Sequence, residues 1–243
     1  MTTTLRPVER RSVPDEVADQ LVDGIVAGDL AVGEQLPSER ELAETLGVSR
    51  PTVRAALTRL ASAGLVETRQ GGGSTVRDFR RFAGLDLLPR LLLGRGGLDV
   101  TVVRDVLGAR TALGPQVAAL AASSPGDEAA GARLLAAAAA VGEAQDHPSA
   151  QRAAVEFWDV VVDRGGSIVF RLLYNQLRMA VEPVLDALAE VLASETDRPE
   201  LYRSLADAVI AGDQAVAHDR AAELLLLGEQ ALGAALAALT PDD

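Results

Sequence analysis

The chain has no cysteine and no lysine, and all 23 of its basic residues are arginine. Disulfides, thiolate metal sites, thiol nucleophiles, Schiff-base lysines and P-loop lysines are therefore excluded together. Histidine is nearly absent as well: His147 precedes a proline in an expected loop, His218 stands alone on a helix, and both are read as solvent-facing. No Asp, Glu, His or Ser constellation with acid/base or nucleophile spacing stands out, so an enzyme is not expected. No run approaches the roughly 18 uncharged apolar residues of a membrane span, and the N-terminus carries Arg6, Glu9, Arg10 and Arg11 without an apolar signal core. The expected location is the cytoplasm, on the nucleoid. What the chain does have is length, 243 residues of which 48% are apolar, enough for one large core or two modest ones.

The most informative stretch runs from Ser38 to Val76. Ser38 followed by Glu41 forms a capping box, in which a hydroxyl and a carboxylate satisfy the orphan amides that open a helix. The apolar stripe Leu42, Ala43 and Leu46 follows, and Gly47 supplies the helix stop. Ser49 caps a second helix with Pro51 in its first turn, where a missing N–H costs nothing. Val53, Leu57 and Leu60 point inward at helical spacing, which leaves Arg50, Thr52 and Arg54 outward near the helix start. Two short helices across a tight turn make a helix-turn-helix, whose second helix enters the major groove by its N-terminal end. The β-prone runs 65–69 and 74–77, joined by Gln70-Gly71-Gly72-Gly73, predict a hairpin, and so a winged helix. Ahead of it, Val13-Pro14-Asp15-Glu16 opens a helix that ends at Gly28.

The pattern Leu36-Pro37-Ser38-Glu39-Arg40-Glu41-Leu42-Ala43, then Gly47-Val48-Ser49-Arg50-Pro51-Thr52-Val53-Arg54, then Leu60 to Val66 resembles the GntR family of bacterial transcriptional regulators. The resemblance implies that Arg40, Ser49, Arg50, Thr52 and Arg54 meet double-stranded DNA, with Gln70 and Gly71 at the wing tip. Arg50 and Arg54 have an independent case: four residues apart on one helical face, each can grip a phosphate or pair bidentately with guanine. Arg40 could instead pair with a nearby glutamate, and the wing-tip glycines could be only a tight turn. The net charge of −12 is unevenly spread, with 11 Arg against 12 acids in residues 1–81 and 12 Arg against 23 acids thereafter. Within residues 50–81, seven Arg face two acids, so recognition helix and wing read as a phosphate-contacting surface.

From Phe82 onward, Leu, Ala and Val recur at helical spacing. The expected helices are Leu85–Leu93, Val100–Ala122, Asp127–Gly142, Ala150–Val162, Ile168–Leu192, Pro199–Ala211 and Gln214–Leu239. The fold class is thus mainly α: an arm over 1–12, a winged helix-turn-helix over 13–77, a linker over 78–84 and an all-helical bundle over 85–240. A winged head followed by such a bundle resembles the FadR branch of the GntR family. The supporting markers are Val103 to Ala118 around Arg110, Glu156-Phe157-Trp158 with the later Gly165-Gly166-Ser167 turn, and Ala208 to Asp213.

Many effector domains of that family hold a metal through one Asp and three His. Those positions fall here on Ala154, Trp158, Tyr202 and Leu224, so no metal and no cofactor are expected. The exchange makes an apolar cavity, and Leu172 to Arg178 resembles the fatty-acid regulators of the branch. That resemblance implies a homodimer that binds a short palindromic operator in the manner of a repressor and is weakened by a long-chain acyl-CoA or fatty acid in the bundle. Trp158, Tyr202 and Leu224 would line the tail, while Arg110, Asn175 and Arg178 are candidates for the polar end. Three readings stay open beside it: a small carboxylate gripped by Arg110, arginines that merely pair with acids such as Glu182, and a dimer whose bundle binds nothing.

Overall fold

The structure is a computed structural model and describes residues 12–69, 73–94 and 96–239. It divides into two compact units after Gly97. Residues 1–11 of the expected arm and the wing-tip residues Gln70 and Gly71 lie outside the described residues.

In the first unit, α1 (Val13–Ala27) starts on the capping box of Ser12 and Asp15 and stops at Gly28 in the left-handed region. Helix α2 (Glu39–Leu46) uses the Ser38–Glu41 box and ends at Gly47, φ +65°. Helix α3 (Arg50–Ser62) begins on Ser49, whose Oγ accepts from the Thr52 amide at 3.3 Å. The strands β1 (Val66–Arg69) and β2 (Gly73–Val76) pair antiparallel, Val66 opposite Val76. Alternation along the hairpin buries Val66 and Val76 against Val53, Leu57 and Leu60, joined by Val17, Leu21 and Ile25 of α1. This is the expected winged helix-turn-helix.

The segment after the wing departs from the sequence reading. The expected linker 78–84 holds a short helix α4 (Phe79–Phe82), and the expected helix Leu85–Leu93 is a 3₁₀ turn over Leu85–Leu87 followed by α5 (Leu88–Leu92). It also belongs to the first unit rather than to the bundle. Leu87 is buried in the head core with Leu91 against it, and Arg90 of α5 pairs with Asp19 and Asp23 of α1. Its six leucines carry the right period for either core, and periodicity alone does not say which core they join.

The second unit holds α6 (Val100–Ser123), α7 (Glu128–Glu143), α8 (His147–Gly165), α9 (Ile168–Val181), the single turns α10 (Leu185–Leu188) and α11 (Ala193–Thr196), α12 (Pro199–Ala211) and α13 (Gln214–Leu239). The long helix expected over Ile168–Leu192 breaks after Val181. Pro183 has no amide for the ladder and its ring collides with the carbonyl four residues back, so the chain passes through a 3₁₀ turn and single helical turns. In contrast, Pro148 sits in the first turn of α8 under an Asp146 cap, so that helix starts three residues earlier than expected. Helix α13 is long and apolar enough to span a membrane by length and composition over Gln214–Ala238. Its Ala217, Ala221, Leu224 and Leu225 are instead packed into the bundle core. That core centres on Phe157, Tyr202, Leu205 and Leu224, with Phe157 edge-on to both Tyr202 at 5.1 Å and Trp158 at 6.0 Å.

Candidate functional site

Two places concentrate polar chemistry, one in each unit. In the head, the N-terminal turn of α3 is exposed. Capping fixes the hydroxyls there: Ser49 Oγ and Thr52 Oγ1 lie 2.8 Å apart in a shared hydrogen bond. Arg50 and Arg54 project from the same face, their side chains 61% and 67% exposed.

Both arginines reach Glu39 at the start of α2. Arg54 donates to it through Nε at 2.9 Å and Nη2 at 2.7 Å, and Arg50 Nη2 stands 3.9 Å away. The hydrogen bond from Arg54 holds the Glu39 carboxyl below its ordinary range, so Glu39 stays ionised. Arg40 has the partner that sequence allowed for, Glu44 one turn on at 2.9 Å. Arg69 of the wing pairs with Glu67 and Arg81 of α4 with Asp78, while Arg59 of α3 meets Asp15 of α1. The positive excess counted over residues 50–81 is therefore partly cancelled by acids from earlier helices. A count along the chain misses them, because Glu39 and Asp15 join this surface only once α1, α2 and α3 pack.

In the bundle, Arg110 of α6 is about three-quarters buried and donates from Nη2 to Glu195 Oε2 at 2.9 Å. Glu195, on α11, is 1% exposed. Burial pushes its carboxyl up despite the attraction of Arg110, whereas Arg110 remains a cation held by Glu195. Among the described residues, three buried polar atoms of this core have no hydrogen-bond partner: Glu195 Oε1, Tyr202 OH and Trp158 Nε1. Sequence reading found Arg110, Trp158, Tyr202 and Leu224 but not Glu195, which is 85 residues from Arg110 and carries no local signal.

The other two candidates for a polar end are engaged elsewhere. Arg178 pairs with Glu156 at 2.5 Å and Asp159 at 3.3 Å, and Asn175 accepts from Arg171, which also holds Asp159 and Asp163. This is an α8–α9 ion-pair network, with α8 acids in place of the expected Glu182. At the four positions where the family resemblance implies metal ligands, Ala154, Trp158, Tyr202 and Leu224 are all core residues. Among the described residues no group of three or more His, Cys, Asp or Glu is placed to hold a metal. His147 is about one-third exposed and lies 3.1 Å from Glu190. His218, similarly exposed, lies 3.2 Å from both Asp219 and Gln116.

Comparisons with known proteins agree with this architecture. The profile of the bacterial regulatory proteins of the gntR family matches residues 14–76, and that of the FCD domain matches residues 105–226. The HTH-type transcriptional regulator Mce2R of Mycobacterium tuberculosis is 52% identical over 233 residues, 96% of each chain. A fatty acid metabolism regulator protein of Vibrio cholerae is 36% identical over 95 residues, 39% of this chain and 34% of that one. Among solved structures, a Listeria monocytogenes protein described as controlling the agr system is 15% identical at a TM-score of 0.58, covering 93% of this chain and 99% of that one, which speaks for the fold alone. With the head, the bundle and a full-length relative in agreement, the chain belongs to the GntR family as a DNA-binding transcriptional regulator that couples a winged helix to an FCD domain, and it is not an enzyme.

Proposed function

We propose that the protein binds a short palindromic operator as a homodimer, reading it with the first turn of α3, and that an apolar acyl-chain effector in the bundle weakens that binding. The observation that carries the first half is the exposed pair Arg50 and Arg54 on the leading turn of the recognition helix. One such helix reads only a few base pairs, and two half-sites multiply affinity. Arg40, Ser49 and Thr52 would add phosphate contacts around it. Arg50→Ala is expected to lower specific operator affinity by about one to two orders of magnitude, measured by fluorescence anisotropy at fixed salt. An unchanged affinity removes Arg50 from the interface.

Glu39 has a distinct expected effect. With both arginines tied to a carboxylate, DNA phosphates must compete with it. Glu39→Gln is expected to raise affinity for non-specific DNA and to steepen the log–log salt dependence by about 0.9, the share of one additional phosphate contact. A slope equal to that of the unaltered protein would mean that Arg54 reaches no phosphate.

For the effector we propose a long-chain acyl-CoA or fatty acid with its chain against Trp158, Tyr202 and Leu224. The apolar character of these positions supports this reading, as does the likeness to a regulator named for fatty acid metabolism. Each buried methylene is worth roughly 0.8 kcal/mol, so a long chain offers ample gross energy before ordering costs. The ligand can release DNA only if it favours the non-binding conformation. A small carboxylate on Arg110 is the weaker reading, because Glu195 already matches that charge. A bundle that binds nothing draws support from the full burial of Tyr202 and Leu224. Operator binding titrated against acyl-CoAs of rising chain length separates the three. Loss that grows with chain length supports the acyl reading, a response to short acids alone supports the carboxylate, and no response leaves the scaffold.

A further inference from the structure

Folded proteins leave few buried polar atoms without a hydrogen-bond partner. Three fall in one core. Glu195 Oε1 lies so close over Gly228 of α13 that a Cβ there would stand 1.9 Å from it. The Trp158 ring lies against Gly114, one turn beyond Arg110 on α6, with its Cη2 3.5 Å from where a Cβ would be. Leu225, which also touches Gly114, is three residues before Gly228 on α13. The Glu195 carboxylate and the Trp158 indole therefore sit on neighbouring turns of the same two helices. Tyr202 adjoins them across Phe157, and its phenol feels the charges of both Glu195 and Arg110.

The three atoms have different needs. Glu195 Oε1 only accepts while ionised, Trp158 Nε1 only donates, and Tyr202 OH does either. We propose that Glu195 sets the ligand class of the bundle: by neutralising Arg110 in place, it selects an apolar molecule ending in an uncharged hydroxyl over one ending in a carboxylate. A hydroxyl can donate to Oε1 and still accept from the indole or the phenol. A carboxylate has no proton to give to Oε1, and it brings a second negative charge to a site whose single cation is already matched. Buried charge without a partner is strongly disfavoured. A carboxylate ligand is therefore admitted only with a proton, taken up by Glu195 or by the ligand itself. Arg110, the most exposed member of the cluster, marks the side open to solvent.

This inference rests on the reading that the bundle holds an apolar chain, and it puts an uncharged polar end where a free fatty acid would bring a carboxylate. Trp158 is the only tryptophan in the chain, so its emission reports on the site directly. The full-length protein at pH 8 would be titrated with decan-1-ol and with decanoate, equal in chain length and different only at the polar end. The alcohol is expected to bind at least about tenfold more tightly, and Glu195→Gln to reverse the order by freeing the charge of Arg110. In the unaltered protein, calorimetry in buffers of different ionisation enthalpy should show uptake of about one proton with decanoate and none with decanol. If the single variant fails to fold, Arg110→Gln with Glu195→Gln keeps the site neutral and should keep the preference for the alcohol. Decanoate binding as tightly as decanol without proton uptake overturns the role of Glu195 and leaves the apolar site standing. If neither molecule changes the emission and acyl-CoAs leave operator binding unchanged, the effector reading falls with it.

Discussion

Gly64→Ala is expected to cost the head about 2–4 kcal/mol, far more than one added methyl group costs at an exposed turn. Gly64 holds φ +74° at the end of α3, and a Cβ there would sit 2.1 Å from the Phe82 carbonyl oxygen and 2.7 Å from its carbon. Left-handed backbone costs an L-residue roughly 1–2 kcal/mol, and forcing rigid backbone apart adds about 1–3 kcal/mol of overpacking strain. The turn cannot relax cheaply, because the Leu65 amide donates to Leu60 O at 2.9 Å and both leucines are about 1% exposed. Gly47 provides the control. It has a similar φ of +65° with no atom within 4 Å of the added Cβ, so Gly47→Ala should lose only about 1 kcal/mol. Urea unfolding of the two variants with unchanged slope compares them directly. Equal midpoints would mean that the 79–83 segment is free to move away from the end of α3.

Local chemistry explains why so much of the head was legible. Capping boxes, a proline in a first turn and glycine stops act within four residues, so Ser38, Glu41, Gly47 and Ser49 mark the boundaries of α2 and α3 before any tertiary contact is known. The same holds for Pro199–Ala211 and Gln214–Leu239, whose bounds the structure reproduces. What was not legible depends on non-local packing. Leu85 to Leu92 shows the period of a bundle helix and yet joins the head core, since an amphipathic stripe does not name its partner. Pro183 stands inside the expected helix 168–192, where the apolar pattern continues past it and hides the break. In the head, the spacing of Arg50 and Arg54 puts them on one helical face, but Glu39, fifteen residues from Arg54, becomes their partner only through the packing of α2 on α3. Glu195 stands beside Ser194, Thr196, Asp197 and Arg198, a polar stretch in which nothing singles it out as the buried charge.

Arg110→Met should be among the most damaging single changes in the bundle, and it should be rescued in part by a second loss. Removing the guanidinium leaves the Glu195 carboxylate with neither oxygen partnered in a site 1% exposed. Breaking a buried pair in this way costs about 3–5 kcal/mol, whereas replacing both members by apolar residues of similar volume is often neutral. Arg110→Met together with Glu195→Leu should therefore be more stable than Arg110→Met alone, the reverse of additivity for two core substitutions. The pH dependence has a definite sign. Burial already raises the Glu195 carboxyl above its ordinary value of 4.5, against the pull of Arg110, and removing Arg110 deletes that opposition. The folded state then binds the proton more tightly than the unfolded chain, so stability is highest below the unfolded value and is lost as pH rises through the folded one. The denaturation midpoint of Arg110→Met should rise when pH is lowered from 8 towards 5, relative to the double variant, in which this group is gone. If both variants respond identically over that range, Glu195 has found another partner or reached solvent, and the charge-matched core described above is not the state the protein occupies.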